Sequence, residues 1–362
     1  MYDKVCIKIG SNVLVSPNGG LNKSRINELV TQIARLHQQG IKIILVSSGA
    51  VAAARDSVTV DKKTDRVSQR QLLSSVGQVK LMNLYAQLFD LHDMQIAQVL
   101  VTKQDFSSRE HYLNMKNCVS ALWDQNVLPI VNENDAVSVT ALMFTDNDEL
   151  SGMMSSMMGC KGLIILSNVD GIYNGHPQEA GAEVIPFIEA EEKGLEQYIT
   201  TSKSDFGRGG MLTKCRVAQK SAMSGVHVHV ANGQVDGVLI RLMNDSKTVN
   251  HTHFVAGQGY PAVKQWIAYS EGFAKAEIVI NAGAFSALCS TKAVSLLLAG
   301  VVKIESDFEK GDLIKIMNEQ EQVIGIGRAS YGKSKAEKHW HDEKYKPLVH
   351  YDYLYVFPEF LS

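Results

Sequence analysis

The chain has 362 residues, 45% of them hydrophobic and 20% charged, which is the composition of an ordinary globular protein large enough for two domains. A formal net charge of -2 excludes the overall basic character of a nucleic-acid-binding protein, although a local basic patch is still compatible with it. Because no apolar run approaches the roughly 18 residues that span a bilayer and no basic-then-apolar leader begins the chain, we expect neither membrane insertion nor secretion.

The five cysteines are odd in number and show no C-x-x-C spacing. This pattern is typical of reduced core thiols in a cytoplasmic protein.

The amino-terminal part predicts strands that alternate with helices. Residues 5–9 form an apolar run interrupted by Lys8, residues 24–39 carry apolar side chains at helical spacing with Ser24 as the N-cap, and residues 41–46 form a second buried strand. This order implies a parallel sheet with right-handed crossovers. Lys8 either reaches the surface or points at an anion beyond the strand end, and the strand alone favours neither.

Small residues recur where predicted strands end and helices begin. They are Gly10-Ser11, Ser47-Ser48-Gly49 and Gly207-Arg208-Gly209-Gly210. A single turn of this kind is usually structural, but its recurrence favours a crevice that binds phosphate, because small residues let backbone N–H groups approach an anion. Lys214, in the first turn of the helix after Gly210, adds a positive charge there.

Residues 131–150 are rich in carboxylates and amides. They follow a buried apolar strand at 127–131, precede a segment of helical length at 150–158, and contain five carboxylates and three asparagines. Ligands of open α/β sheets bind outside the carboxyl ends of strands, so this loop lies where a substrate would be held. An ammonium group or a metal ion could be its partner, and a solvated acidic loop is the alternative.

Further along, helices are predicted at 71–92 and 112–125, and a strand at 162–166 leads into Ser167-Asn168-Val169-Asp170. Periodicity fades between about residues 251 and 274, after which short strands alternate with Gly-rich turns. We therefore predict a catalytic domain at 1–255, a linker at 256–275 and a β-rich domain at 276–362.

Two other patterns are weaker. Residues 327–334 match the Walker A pattern letter for letter, but that motif needs a long following helix inside a βαβ unit, and only 28 residues follow Ser334. Pairs of the form H-x-H begin at His227, His251 and His339. Without cysteine or acidic ligands at supporting spacing, ordinary strand or surface histidines are favoured over metal ligands.

Five motifs in order resemble those of the amino acid kinase family: VCIKIGS at 5–11, VSSGA at 46–50, PIVNENDAV at 129–137, DND at 146–148 and GGMLTK at 209–214. The acidic motifs are similar to those of its glutamate 5-kinase branch. NAGA at 281–284, FEKGD at 308–312 and GIGR at 325–328 resemble the PUA domain of bacterial members of that branch. The resemblance implies an α/β fold, a three-layer αβα sandwich around a mainly parallel sheet, followed by a small β-rich PUA-like domain.

The resemblance also implies ATP-dependent phosphorylation of the γ-carboxylate of L-glutamate to L-glutamyl 5-phosphate, the first step of proline biosynthesis. Mg2+ would enter with ATP and no protein metal ligand is expected. The branch further suggests a homo-oligomer and feedback inhibition by proline. The alternatives are another carboxylate, carbamate or nucleotide as substrate, or an RNA-binding PUA protein with impaired kinase activity.

By matching positions, the resemblance gives each candidate residue a role. The catalytic residues would be Lys8, Lys214 and Asn168. Glutamate would be bound by Ser48, Gly49, Asn132, Asp135, Asn147 and Asp148. ATP would be bound by Lys8, Gly10, Ser167, Asn168, Asp170, Gly209, Gly210, Met211 and Lys214.

Two points of chemistry bear on these roles. A carboxylate is nucleophilic at neutral pH, so the reaction needs positioning and charge stabilisation and no general base, while the α-ammonium group could pair with Asp135 or Asp148. Asn168 departs from the family, which usually has an aspartate there to orient the two lysines. Either Asp170 compensates or phosphoryl transfer is impaired.

Overall fold

In a computed structural model of the protein, the buried apolar runs of the sequence form the strands of a large sheet. The structure describes residues 1–55, 57–61, 63–138, 146–175, 181–192, 194–195, 211–259, 261–290, 292–340, 342, 345–357 and 360–361. The chain divides into two units, residues 1–259 and residues 260–362.

The described part of the first unit alternates strands with helices. Its strands are β1 (Lys4–Ile9), β2 (Lys42–Ser47), β3 (Ile96–Val101), β4 (Leu128–Glu133), β5 (Gly162–Ser167), β6 (Phe187–Glu189), β7 (His227–Asn232) and β8 (His251–Val255). Its helices are α1 (Ser11–Leu14), α2 (Lys23–Gln38), α3 (Ala50–Ala54), α4 (Arg66–Asp90), α5 (Arg109–Asp124), α6 (Asn147–Met158), α7 (Met211–Met223) and α8 (Val238–Asn244).

The strands form one sheet in the order β3-β4-β2-β1-β5-β7-β8-β6. All neighbours are parallel except β7 and β8, which are antiparallel. The predicted mainly parallel sheet is therefore confirmed. Because β1, β2, β4, β5 and β7 run in the same direction, their carboxyl ends meet at one edge, where a ligand of an open α/β sheet binds.

Alternation along β1 explains how a lysine fits in a buried strand. Val5, Ile7 and Ile9 lie in a core cluster with residues of α2, α4 and α8. Successive side chains of a strand point to opposite faces, so Lys8 points to the other face, on which α6 contacts β1, β2, β4 and β5. Helices thus cover both faces, as the predicted three-layer sandwich requires.

The second unit is β-rich, as predicted. Its described strands are β9 (Ala276–Ile280), β10 (Val301–Ile304), β11 (Leu313–Met317), β12 (Val323–Arg328) and β13 (Leu354–Val356), in the order β10-β9-β11-β12-β13. Its described α-helices are α9 (Ala262–Ala268), α10 (Ala282–Leu288) and α11 (Lys333–Lys338). Helix α9 occupies part of the stretch for which the sequence predicts a linker. The domain boundaries drawn from the sequence stay predictions.

Residues 327–334 do not form a P-loop. Strand β12 is antiparallel to both of its neighbours, so it is not part of a βαβ unit, and α11 has only six residues. The lysine of the pattern, Lys333, instead forms an ion pair with Asp307 at 3.0 Å.

Three smaller expectations can be compared with the structure. Helix α2 begins after Asn22, whose side chain accepts a hydrogen bond from the Arg25 N–H at 3.1 Å, so the prediction of Ser24 as N-cap is wrong. All five cysteines are free, but Cys118 is exposed and is not a core thiol. Among the described helices none is long and apolar enough to cross a membrane.

The first two H-x-H pairs lie side by side on β7 and β8. The register places His229 opposite His253, and their ring centroids are 4.4 Å apart. His227 Nδ1 lies 3.0 Å from His253 Nε2, and the Tyr2 hydroxyl lies 2.8 Å from His229 Nε2. No group of three or more His, Cys, Asp or Glu side chains in the described part of the chain could hold a metal ion. The four rings contact one another across the two strands.

This histidine cluster predicts a loss of stability in mild acid. Burial lowers the pKa of all four histidines, and repulsion from neighbouring imidazoles lowers that of His253 further, from 6.5 to about 4. Between these two pH values the four histidines bind more protons in the unfolded chain than in the folded chain, so their contribution to the free energy of unfolding falls as pH falls. Urea denaturation across pH 6.5 to 4 should show this decline.

The decline should be shallower in His253→Gln, because that variant removes one of the depressed groups. His111→Gln is the matched control, since His111 is exposed and lies outside the cluster. Equal pH slopes for wild type and His253→Gln would contradict the prediction.

Candidate active site

Two lysines from distant parts of the sequence share one buried carboxylate. Lys8 on β1 is 4% exposed and Asp148, in the first turn of α6, is 0% exposed. Lys8 Nζ forms an ion pair with Asp148 Oδ1, and Lys214 Nζ donates to Asp148 Oδ2 at 2.8 Å. The cluster of Lys8, Asp148 and Lys214 thus lies at the edge where the carboxyl ends of the parallel strands meet.

The lysines control the charge of this cluster. Burial alone would raise the pKa of Asp148, but the charges of Lys8 and Lys214 outweigh it and hold that pKa well below its usual value. Burial would likewise lower the pKa of Lys214, but the charge of Asp148 outweighs it and raises that pKa. The two ammonium groups that converge on this carboxylate suit an anionic ligand.

Asp148 reaches the lysines because α6 begins three residues earlier than the sequence pattern indicated. The Asp146 carboxylate caps the helix, accepting hydrogen bonds from the N–H groups of Asp148 at 2.9 Å and Glu149 at 3.2 Å. Burial, followed by repulsion from Asp148, raises the pKa of Asp146 to about 6. Asn147 and Asp148 therefore belong to the first turn of α6, whereas the sequence predicts that they lie in a loop.

The predicted amide residues meet beside the lysine cluster. The Asn147 Nδ2 group donates to Ser48 Oγ at 2.9 Å and to Asn132 Oδ1 at 3.0 Å, and the Asn132 Nδ2 group donates to Gln78 Oε1 at 2.9 Å. Gly49 has a φ of 103°, a left-handed conformation that favours glycine. The structure thus brings together Ser48 and Gly49 from the turn after β2, Asn132 from β4 and Asn147 from α6.

Asp135 lies two residues beyond the end of β4 and is paired with an arginine. Arg70, from the start of α4, donates from Nε at 3.0 Å and from Nη2 at 2.7 Å to the same oxygen, Asp135 Oδ1. Its Nη2 atom also lies 3.9 Å from Glu133 Oε2. Asp135 and Asp148, which the sequence treats as equivalent candidates for a substrate ammonium group, therefore have different partners.

The residues predicted to bind ATP do not form one hydrogen-bonded group among the described residues. Gly10 donates its N–H to the Leu166 carbonyl at 3.1 Å, and a Cβ there would lie 3.5 Å from Lys8 Nζ, so its lack of a side chain leaves room for the lysine. Asp170 accepts a hydrogen bond from Asn232 at 2.9 Å. Ser167 is buried at the end of β5, and Met211 begins α7. Gly209 and Gly210 lie outside the described residues.

Asn168 is not brought to the lysines. Its side chain is exposed, and its amide oxygen lies 3.4 Å from Ser167 Oγ. Asp148 occupies the position between Lys8 and Lys214 that the resemblance gave to residue 168.

The sequence reading missed Arg70 and Gln78. Both belong to α4 and lie eight residues apart, which is about two helical turns and places them on one face. Their partners, Asp135 and Asn132, are more than fifty positions away in the sequence. The only local signal of a functional role is therefore the spacing of two polar side chains on one face of the helix.

Comparisons with known proteins show which family the chain belongs to. The chain matches the model of the amino acid kinase family over residues 3–232 and that of the PUA domain over residues 276–344. It belongs to the amino acid kinase family.

Three curated relatives are each named glutamate 5-kinase. The protein of Bacteroides thetaiotaomicron is 49% identical, covering 98% of this chain and 99% of its own. That of Chlorobaculum tepidum is 45% identical, covering 99% and 98%. That of Trichlorobacter lovleyi is 36% identical, covering 92% and 88%.

Proposed function

We propose that the chain transfers the γ-phosphoryl group of ATP to the γ-carboxylate of L-glutamate, giving L-glutamyl 5-phosphate and ADP, the first step of proline biosynthesis. The observation that carries this proposal is the cluster of Lys8, Asp148 and Lys214 beside the paired amides of Asn147 and Asn132, with Asp135 three residues further along the chain than Asn132. The positive charge of the two lysines suits the reacting phosphate and carboxylate. The carboxylate of Asp135 suits the α-ammonium group of an amino acid.

In the reaction, a γ-carboxylate oxygen attacks the γ-phosphorus of ATP. The bond between that phosphorus and the oxygen bridging to the β-phosphate breaks, and ADP leaves with the electron pair. The nucleophile is already ionised, so the protein's residues act by position and charge. Lys8 and Lys214 neutralise the transferring group, and Asp148 holds both ammonium groups in place. Mg2+ is part of the substrate MgATP and supplies further charge neutralisation when bound.

A coupled assay of ADP release with L-glutamate, ATP and Mg2+ tests the proposal. We expect turnover that depends on both substrates, with an acyl phosphate product that hydroxylamine traps as a hydroxamate. Purified protein that releases no ADP under these conditions would sink the proposal. N-acetyl-L-glutamate, carbamate and UMP in the same assay address the other substrates of the family, and N-acetyl-L-glutamate, which lacks the ammonium charge, should be a poor substrate.

Other properties implied by the resemblance stay predictions: a homo-oligomer, feedback inhibition by proline, a cytoplasmic location and RNA binding by the PUA domain. The alternative of an impaired kinase depended on Asn168. The pairing of both lysines with Asp148 supports an active kinase despite that departure. An Asn168→Asp variant should consequently raise kcat by less than about threefold, a barrier change below about 0.7 kcal/mol.

A further inference from the structure

We propose that Arg70 sets the selectivity of the amino acid subsite by binding the α-carboxylate of the substrate beside Asp135. This inference rests on the proposed function, because it assigns the α-carboxylate of glutamate a partner. Arg70 was not among the residues that the sequence singled out.

The geometry of the Arg70–Asp135 pair leaves both partners able to bind more. Arg70 Nε and Nη2 converge on one oxygen, Asp135 Oδ1, so the arginine does not use the other carboxylate oxygen. A guanidinium has five N–H donors in a planar fork, and Arg70 gives only part of that set to Asp135. The Arg70 side chain is 31% exposed while that of Asp135 is 10% exposed, so the arginine opens toward solvent.

An α-amino acid matches this pair in charge. Its ammonium and carboxylate groups are attached to one carbon, so they present opposite charges close together. Asp135 and Arg70 present opposite charges in direct contact, which lets Asp135 accept from the ammonium group while Arg70 donates to the carboxylate. The γ-carboxylate then extends past the amides of Asn132 and Asn147 toward Lys8 and Lys214. One dicarboxylate is thus held by positive charge at both ends.

Two carboxylates close to Arg70 would repel the α-carboxylate of the substrate if the arginine were absent. Glu133 Oε2 lies 3.9 Å from Arg70 Nη2, and Asp135 Oδ1 lies 2.7 Å from it. Without the guanidinium, two carboxylates would face the incoming α-carboxylate, and like charges repel strongly where burial limits screening.

Helix α4 is held firmly enough to place Arg70. A Cβ at Gly77 would lie 1.7 Å from the Ala50 carbonyl oxygen, so α4 and α3 are in direct backbone contact. Gln78 accepts from Asn132 at 2.9 Å, and the Gln71 side chain donates to the Ala136 carbonyl at 2.9 Å. Three side chains of one helix therefore contact the segment that carries Asp135.

The test compares L-glutamate with L-isoglutamine, in which an uncharged carboxamide replaces the α-carboxylate and the γ-carboxylate is retained. Wild type should prefer glutamate. In Arg70→Gln we expect kcat/KM for glutamate to fall about 10- to 100-fold, mainly through KM, with a much smaller loss for isoglutamine. The ratio of the two kcat/KM values should therefore collapse. Arg70→Lys keeps the charge without the planar fork and should retain an intermediate ratio.

A purely structural role for Arg70 would lower both values equally and leave the ratio unchanged, and that result in either variant overturns the inference. Lys80→Gln is the matched control, because Lys80 is an exposed charge on the same helix; its ratio should equal that of wild type. Titration calorimetry with both ligands measures the same preference without turnover. Absent ADP release would therefore count against the proposed function, and a binding preference independent of Arg70 would count against this inference.

Discussion

Asp148→Asn should lower kcat for glutamate phosphorylation by about 100- to 1,000-fold, the usual loss when one preorganised electrostatic element of an active site is removed. The substitution keeps the shape of the side chain and removes its charge. Lys8 and Lys214 would then repel each other without the carboxylate that now contacts both. Their ammonium groups would move apart and no longer converge on the transferring phosphoryl group.

The same substitution should also destabilise the fold. Asp148 is 0% exposed, and removing one partner of a buried ion pair leaves an uncompensated buried charge at a cost of about 3–5 kcal/mol. Steady-state kinetics and urea denaturation measure the two effects separately. Glu149→Gln is the matched control, because Glu149 is the adjacent residue of α6 and pairs with Lys103 at 3.0 Å where both side chains are partly exposed. A variant that kept more than a tenth of the wild-type kcat would have lost less than about 1.4 kcal/mol of transition-state stabilisation. That result would contradict the proposed role of the shared carboxylate in catalysis.

The sequence identified the strands and the lysines because both leave local signals. An apolar run interrupted by Lys8 and a Gly-rich helix start followed by Lys214 can be recognised without tertiary information. The partner of the lysines could not be recognised in this way. The resemblance to the family gives the orienting role to position 168, whereas Asp148 reaches both lysines because α6 packs against β1.

The boundary of α6 was the decisive local error. Asp146 at the N-cap, with acidic residues in the first turn, is a recognised helix-start pattern, but within a run of acidic residues the same letters also fit a solvated loop. A helix that begins at Asn147 places Asp148 one residue into the first turn. Arg70 illustrates the opposite case, since its pairing with Asp135 joins residues 65 positions apart, and no local pattern indicates which residue is its partner.

Lys8→Met should reduce kcat by about 100- to 1,000-fold, because it removes one of the two ammonium groups that neutralise the transferring phosphoryl group. KM for glutamate should change much less if Lys8 acts mainly in the transition state. The methionine fills most of the volume of the lysine stem on β1, so the sheet is retained. Lys4→Met is the matched control, since Lys4 lies at the opposite end of the same strand and should leave kcat unchanged.

A double-mutant cycle then tests whether Lys8 acts through its pairing with Asp148. In the wild-type background Lys8→Met removes a favourable partner of the buried carboxylate and should lower the free energy of unfolding. In the Asp148→Asn background the Lys8 ammonium is a buried charge beside Lys214 with no carboxylate between them, so removing it should cost less or even stabilise the protein. We expect a coupling free energy of about 0.5–3 kcal/mol for residues in contact. Additive effects on unfolding would contradict the shared-carboxylate arrangement. The kcat losses should also be far from additive, because residues that act as one unit lose their function together.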